Sequence, residues 1–206
     1  MHLDQLQTGD LLLCSYRGPG FFGLFSKAIQ YFTQSAYSHV AMVLRDPDFV
    51  HPTPSLRGLY VWQSSFERDP DPQDHIANKF GVQITPIETI LAEYAAPNGA
   101  VHVRRLDCAP ALLSTAALQR VHDTVYRKPY DYEPRDWIEA LQRKDTHPQK
   151  TDRFWCSAFV GYVYTTCGIL CADTDWSILR PSDFSASQQN LRFAPPSRLS
   201  AKIESL

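Results

Sequence analysis

Cys156 is the residue of this sequence whose position best suits a nucleophilic thiol. It follows a polar stretch at 144–152 and opens an apolar segment with a period near 3.6, which predicts a helix with Asp152 or Thr151 as its N-cap. A thiol in a first helical turn lies close to unpaired backbone N–H groups and to the positive end of the helix dipole. We therefore expect the pKa of Cys156 to lie below the usual value of about 8.5. A small buried residue at the start of a core helix is the alternative interpretation.

The other cysteines occupy less favourable positions. They are Cys14 inside an apolar strand, Cys108 in a turn before Pro110, and Cys167 and Cys171 at or beyond the far end of the Cys156 helix. The helix dipole disfavours ionisation at that far end. Five cysteines without a C-x-x-C pair do not suggest structural zinc or a complete disulfide framework.

His39 is the candidate base for this thiol. It begins a predicted strand, after a small polar stretch, where an imidazole at the edge of a sheet can approach a helix end. Such an imidazole accepts the thiol proton and later protonates the leaving group. A third residue usually holds its tautomer. Gln63 on a neighbouring predicted strand is the first candidate, and Glu67 is the second. A hydrogen-bonded histidine at a strand edge is the structural alternative.

The hydrophobic pattern predicts an α+β fold in which an antiparallel sheet of about five strands packs against helices, as a single domain over 1–206. The predicted strands cover 11–16, 38–46, 59–64, 81–87 and 100–106, and the predicted helices cover about 22–33, 88–95, 111–126, 134–143 and 154–168. Residues 66–80 are the most loop-like stretch, and the tail beyond 185 is expected to be surface coil.

Composition excludes several classes of function. Twenty Lys and Arg against 22 Asp and Glu leave no positive excess, so a nucleic acid partner is not expected. No spacing suits a metal site, and no glycine-rich phosphate loop is present, so we expect no metal and no cofactor. No apolar run is long enough to span a bilayer, and the N-terminus lacks the pattern of a secretory signal. The expected location is a reducing, cytoplasmic compartment.

Several short motifs occur together in a characteristic order. They are Gly9-Asp10-Leu11-Leu12, the stretch from Ser35 to Val43 around His39, Val61-Trp62-Gln63, Pro129-Tyr130-Asp131, Trp155-Cys156-Ser157, and the closing stretch from Trp176 to Phe184. In this order they resemble the circularly permuted papain-fold amidases, the YaeF/YiiX-like branch of the NlpC-type cysteine peptidase superfamily. Lecithin:retinol acyltransferase-like enzymes share the permutation. The resemblance spans about residues 9–185 and rests on the combination of motifs.

The resemblance implies a papain-like fold and a thiol hydrolase with Cys156 as nucleophile, His39 as general base and acid, and Gln63 as the orienting residue. Gln63 is neutral, so it stabilises an imidazolium less than a carboxylate would. The backbone N–H of Cys156 would be one oxyanion donor. Tyr37 and Tyr130 are candidates for lining the substrate cleft.

The sequence leaves three functions open. The leading hypothesis is hydrolysis of an amide, whether peptide, isopeptide or N-acyl, or of an ester through a thioester. The second is a thiol-dependent lipid acyltransferase or phospholipase, because the apolar stretch 21–25 would suit contact with a membrane surface. The third is a binding module that keeps the fold without catalysis. Fold alone does not choose among their substrates.

Overall fold

The computed structural model describes residues 2–16, 36–50, 55–95, 99–131, 133, 150–186 and 190–206. In chain order the strands and α-helices are β1 (Leu11–Tyr16), β2 (His39–Arg45), β3 (Leu59–Glu67), β4 (Lys79–Pro86), α1 (Ile87–Tyr94), β5 (Gly99–Arg104), β6 (Leu106–Asp107), α2 (Thr115–Val125), α3 (Cys156–Thr166), β7 (Arg198–Leu199) and β8 (Glu204–Ser205). The predicted helices at 22–33 and 134–143 lie outside the described residues.

Six strands form one antiparallel sheet in the order β4–β3–β2–β1–β5–β8, and β6 pairs with β7 separately. The predicted α+β class, with an antiparallel sheet packed against helices, is confirmed. The prediction that the tail beyond residue 185 is surface coil was wrong, because two short strands form there. β8 pairs with β5 and adds the sixth strand to the sheet. A strand of two residues is too short to show the alternation that identifies longer strands.

Side chains on the two faces of the sheet belong to two hydrophobic clusters. The larger cluster contains Leu11 and Leu13 of β1 and the inner faces of α2 and α3. The smaller contains Leu12 and Cys14 of the same strand and the buried side chains of α1. This division follows from the period of two in a strand, because successive side chains point to opposite faces. Helices therefore cover both faces of the sheet.

The central strands β2 and β3 separate at one end. Their ladder runs from the Arg45–Leu59 pair to the Met42–Trp62 pair. Beyond it, β2 stays paired with β1 as far as the Cys14–His39 pair, and β3 stays paired with β4 through Glu67. An opening therefore forms in the sheet between the first residues of β2 and the second half of β3.

The helix α3 starts later than the predicted caps imply. Its N-cap is Trp155, which has no side-chain capping hydrogen bond, so neither Asp152 nor Thr151 caps it. The reason is a backbone pairing just before the helix: Phe154 N donates to Pro129 O at 3.1 Å, and Asp131 N donates to Phe154 O at 3.1 Å. These bonds hold the chain extended up to Trp155. The first helical turn consequently begins with Cys156 itself.

The segment predicted to be most loop-like, 66–80, connects β3 and β4 as a hairpin. Both strands extend into it, since β3 ends at Glu67 and β4 begins at Lys79. The ammonium of Lys79 pairs with the buried carboxylate of Asp71 and with Asp74 at 3.0 Å. These ion pairs hold the connecting loop against the first residue of β4.

Candidate active site

His39 and Gln63 are joined by a hydrogen bond across the opening of the sheet. The distance from His39 Nε2 to Gln63 Oε1 is 2.8 Å. His39 begins β2 and is partly buried, whereas Gln63 lies in the middle of β3 and is only 1% exposed. An amide oxygen only accepts hydrogen bonds, so Nε2 must carry the proton of this contact. In a neutral imidazole, the unprotonated nitrogen is then Nδ1.

The other end of the Gln63 amide reaches the next strand. Its Nε2 donates to Thr85 Oγ1 at 3.1 Å, and Thr85 on β4 is 1% exposed. His39, Gln63 and Thr85 thus form a chain of side chains across three neighbouring strands. They share the sheet face of the cluster that contains Val61 and α1. The link between Gln63 and Thr85 is diagonal in the β3–β4 register, which suits long side chains on one face.

Cys156 lies at the same opening, approached from the opposite face by α3. The side chain is buried, and the backbone N–H groups of Val40 and Ser157 interact with its sulfur. Val40 follows His39 directly and stands beyond the end of the β2–β3 ladder. The thiol therefore adjoins the peptide unit that links His39 to Val40. The opening brings the helix start and the base-bearing strand together.

Burial disfavours the charged forms of both the thiol and the imidazole. Burial raises the pKa of Cys156 to about 11, although the N–H groups of Val40 and Ser157 lower it. Burial also lowers the pKa of His39 to about 4, against the effect of its hydrogen bond to Gln63. The expectation of a lowered thiol pKa was therefore wrong. Desolvation penalises the charged form more than the backbone donors of the first turn favour it.

Glu67, the alternative third residue, is engaged elsewhere. Its Oε1 accepts from the backbone N–H of Arg68 at 2.8 Å and from that of Asp69 at 3.4 Å. Glu67 ends β3, whereas Gln63 contacts His39 directly. The geometry therefore favours Gln63 over Glu67 as the partner of the imidazole.

The two tyrosines predicted to line a cleft lie in different places. Tyr37 packs edge-on against His102, with ring centroids 5.6 Å apart. Tyr130 is 7% exposed and stacks on Phe80 at 4.6 Å and 11°. A bridge between Tyr130 and Phe154 brings Tyr130 close to the start of α3. Tyr130 is thereby linked to the segment that leads into Cys156.

Sequence reasoning missed three groups at this site: Thr85, the backbone N–H of Val40, and Cys14. Cys14 is the cross-strand partner of His39 and is fully buried on the same sheet face. Facing residues of an antiparallel pair have Cβ atoms about 4.5–5.5 Å apart. A strand register would have been needed to find these contacts, because residue types alone do not pair two strands.

Within the described ranges, no group of three or more His, Cys, Asp and Glu side chains could hold a metal ion. No helix in that part of the chain is long and apolar enough to cross a bilayer.

No protein-family model matches the chain, and no curated protein is similar enough to count as a match. The geometry of Cys156, His39 and Gln63 is therefore the basis for inferring a function.

Proposed function

We propose that the protein is a cysteine hydrolase that cleaves an amide or ester bond through a thioester on Cys156, using a papain-like site. The observation that carries the proposal is the hydrogen bond between His39 and Gln63 at the opening where the Cys156 thiol meets the peptide unit of His39 and Val40. It orients the imidazole at the opening that the thiol also adjoins, and an oriented base close to a thiol is the arrangement that nucleophilic catalysis requires.

The neutral resting state determines how the first step proceeds. His39 Nδ1 accepts the proton of the Cys156 thiol as Sγ forms its bond to the substrate carbonyl carbon. Proton transfer and attack are coupled because neither ion is stable alone in the buried site. The imidazolium then keeps its Nε2–H bond to Gln63.

The backbone provides donors for the negative charge of the tetrahedral intermediate. The N–H groups of Cys156 and Val40 both interact with the sulfur, and α3 has no side-chain cap to occupy its first turn. These two groups are the oxyanion donors in the proposed mechanism. They are fixed by the helix start and by β2, so no side chain has to reorganise.

The remaining steps restore the enzyme. The bond from the carbonyl carbon to the leaving nitrogen or oxygen breaks, and the leaving atom takes the proton from His39. Water then attacks the thioester carbon while His39 accepts one of its protons. The carbon–sulfur bond breaks, the carboxylic acid leaves, and the proton returns to the sulfur.

Alkylation rates at the five thiols test the proposal. Cys108 and Cys171 are more exposed than Cys156 and serve as internal references in the same sample. We expect the His39 imidazole to assist alkylation of Cys156 by iodoacetamide, so His39→Ala should slow alkylation of Cys156 and leave the rates of the two references unchanged. Peptide mass spectrometry reads all five sites. A Cys156 rate that is unaffected by loss of His39 would contradict the catalytic role and favour a binding module.

An exposed apolar surface favours a second candidate, a lipid acyltransferase or phospholipase with the same thioester chemistry. Phe80 is 48% exposed and stacks on Tyr130, while Ile76 in the same hairpin is 42% exposed. Such residues would suit peripheral contact with a membrane or with an acyl chain. Flotation with phosphatidylcholine vesicles, followed by measurement of released fatty acid, tests this candidate. Absence of both signals would leave a peptide, isopeptide or other N-acyl substrate for the hydrolase.

A further inference from the structure

The Gln63 side chain is almost completely enclosed, so both ends of its amide need hydrogen-bond partners within the protein. Its oxygen has His39 at 2.8 Å, and its nitrogen has Thr85 at 3.1 Å. A buried amide group that loses a partner carries the full desolvation penalty of that group. The position of Gln63 therefore depends on Thr85 as well as on His39.

The connection continues to the nucleophile through the imidazole ring. His39 Nδ1 can accept the thiol proton only while Nε2 keeps its own proton, and Gln63 Oε1 is the acceptor that holds this tautomer. If the amide rotated by half a turn, its NH2 group would face Nε2 and favour the proton on Nδ1. That tautomer has no lone pair available for the thiol.

We propose that Thr85 is a positioning residue that holds the Gln63 amide in place, so that His39 presents Nδ1 to the Cys156 thiol. The inference rests on the proposed function and adds a fourth residue, on β4, to Cys156, His39 and Gln63. Thr85 is at the far side of Gln63 from His39 and acts only through that amide. Its strand β4 pairs with β3 along eight residue pairs, which provides a rigid support.

The test combines Thr85→Val, Thr85→Ser and Gln63→Ala, and measures the rate of Cys156 alkylation against pH. Valine replaces the hydroxyl by a methyl group on a β-branched side chain that suits a strand. We expect Thr85→Val to slow the alkylation of Cys156 by about fivefold, which is the effect of losing one buried hydrogen bond. Thr85→Ser keeps an oxygen for the amide and should retain most of the wild-type rate.

The double variant separates positioning from general damage to the fold. In the Gln63→Ala background, Thr85→Val should cause no further loss, because its effect passes through the missing amide. Thr165→Val provides a matched control. The hydroxyl oxygen of Thr165 is buried near the far end of α3 and has no hydrogen-bond partner among the described residues, so its removal should leave the rate of Cys156 alkylation unchanged.

Two results would overturn the inference: a wild-type rate in Thr85→Val, or an equal loss in the presence and absence of Gln63. His39→Ala, measured in the same series, keeps this separate from the proposed function. If His39→Ala slows Cys156 and Thr85→Val does not, only the role of Thr85 is wrong. If His39→Ala has no effect, the hydrolase proposal fails as well.

Discussion

Two buried cysteines lie near the start of β2, and their surroundings differ. Cys14 faces His39 across the β1–β2 pair, while Cys156 meets the amide of Val40 at the start of α3. Burial raises the pKa of both thiols. The nearby groups that act on Cys14, Glu93 and Cys156, raise its pKa further, whereas backbone N–H groups lower that of Cys156.

The comparison shows that burial near a base is insufficient to make a nucleophile. Both sulfurs are in low-dielectric surroundings, where a thiolate is costly. Backbone N–H groups lower the pKa of Cys156 and are not among the groups that act on Cys14, and in the proposed mechanism the same N–H groups stabilise the oxyanion that follows attack. The helix start and the part of β2 beyond its ladder with β3 provide them, whereas the interior of a fully paired strand does not, because its N–H groups belong to the ladder.

Replacing each of the two cysteines in turn should give the largest difference in adduct formation and activity. Cys156→Ala should abolish the thioester adduct and all turnover, because the proposed mechanism forms the thioester on the Cys156 sulfur. Cys14→Ala should keep the adduct and most of the activity, since it removes a packing group behind His39. Mass spectrometry of the protein trapped with an acyl donor measures both. An adduct on Cys14 in the Cys156→Ala variant would remove the distinction between the two sites.

Much of this site follows from residue types and hydrophobic period. The alternation in residues 38–46 and 59–64 predicts β2 and β3, and the 3.6 period after Trp155 predicts α3. Cys156, His39 and Gln63 could accordingly be selected as a set. Their catalytic roles stay predictions.

Other features depend on tertiary contacts that no local pattern encodes. The separation of β2 from β3 is a property of pairing, and it determines where the N–H of Val40 points. The contact with Thr85 requires the β3–β4 register, because a slip of one residue would turn it to the opposite face. The raised pKa of Cys156 results from packing around the helix start. Sequence alone shows the favourable dipole but not the opposing desolvation.

Replacing Gln63 by glutamate should sharpen the difference between the two thiols. A carboxylate at 2.8 Å from Nε2 stabilises the imidazolium, so the pKa of His39 should rise from about 4 by one to two units. A stronger base should speed alkylation of Cys156 at pH 7 by about tenfold or less. Cys14, without N–H donors for its thiolate, should remain unmodified.

The control for this variant is Gln63→Met, which keeps the length of the side chain and removes its acceptor. Gln63→Met should slow the alkylation of Cys156, because the imidazole loses its acceptor. NMR titration of the His39 ring measures the pKa directly. A glutamate variant with an unchanged His39 pKa would contradict the direct contact between residues 39 and 63.

The smallest expected effect concerns stability at alkaline pH, and it tests whether Cys156 rests as a thiol. A group whose pKa is higher in the folded state binds more protons there than in the unfolded chain. Its contribution to the free energy of unfolding is complete below the unfolded pKa near 9, and it declines as pH rises toward the folded value of about 11. Each such thiol lowers the free energy of unfolding by about 1.4 kcal/mol per pH unit in this window. Cys156→Ala and Cys14→Ala should both make the decline in the free energy of unfolding less steep. Urea unfolding between about pH 8.5 and about pH 10.5, which covers most of the range between the unfolded and folded pKa values, measures this. If Cys14→Ala has this effect and Cys156→Ala does not, the donors at the helix start outweigh burial, and Cys156 rests as the thiolate.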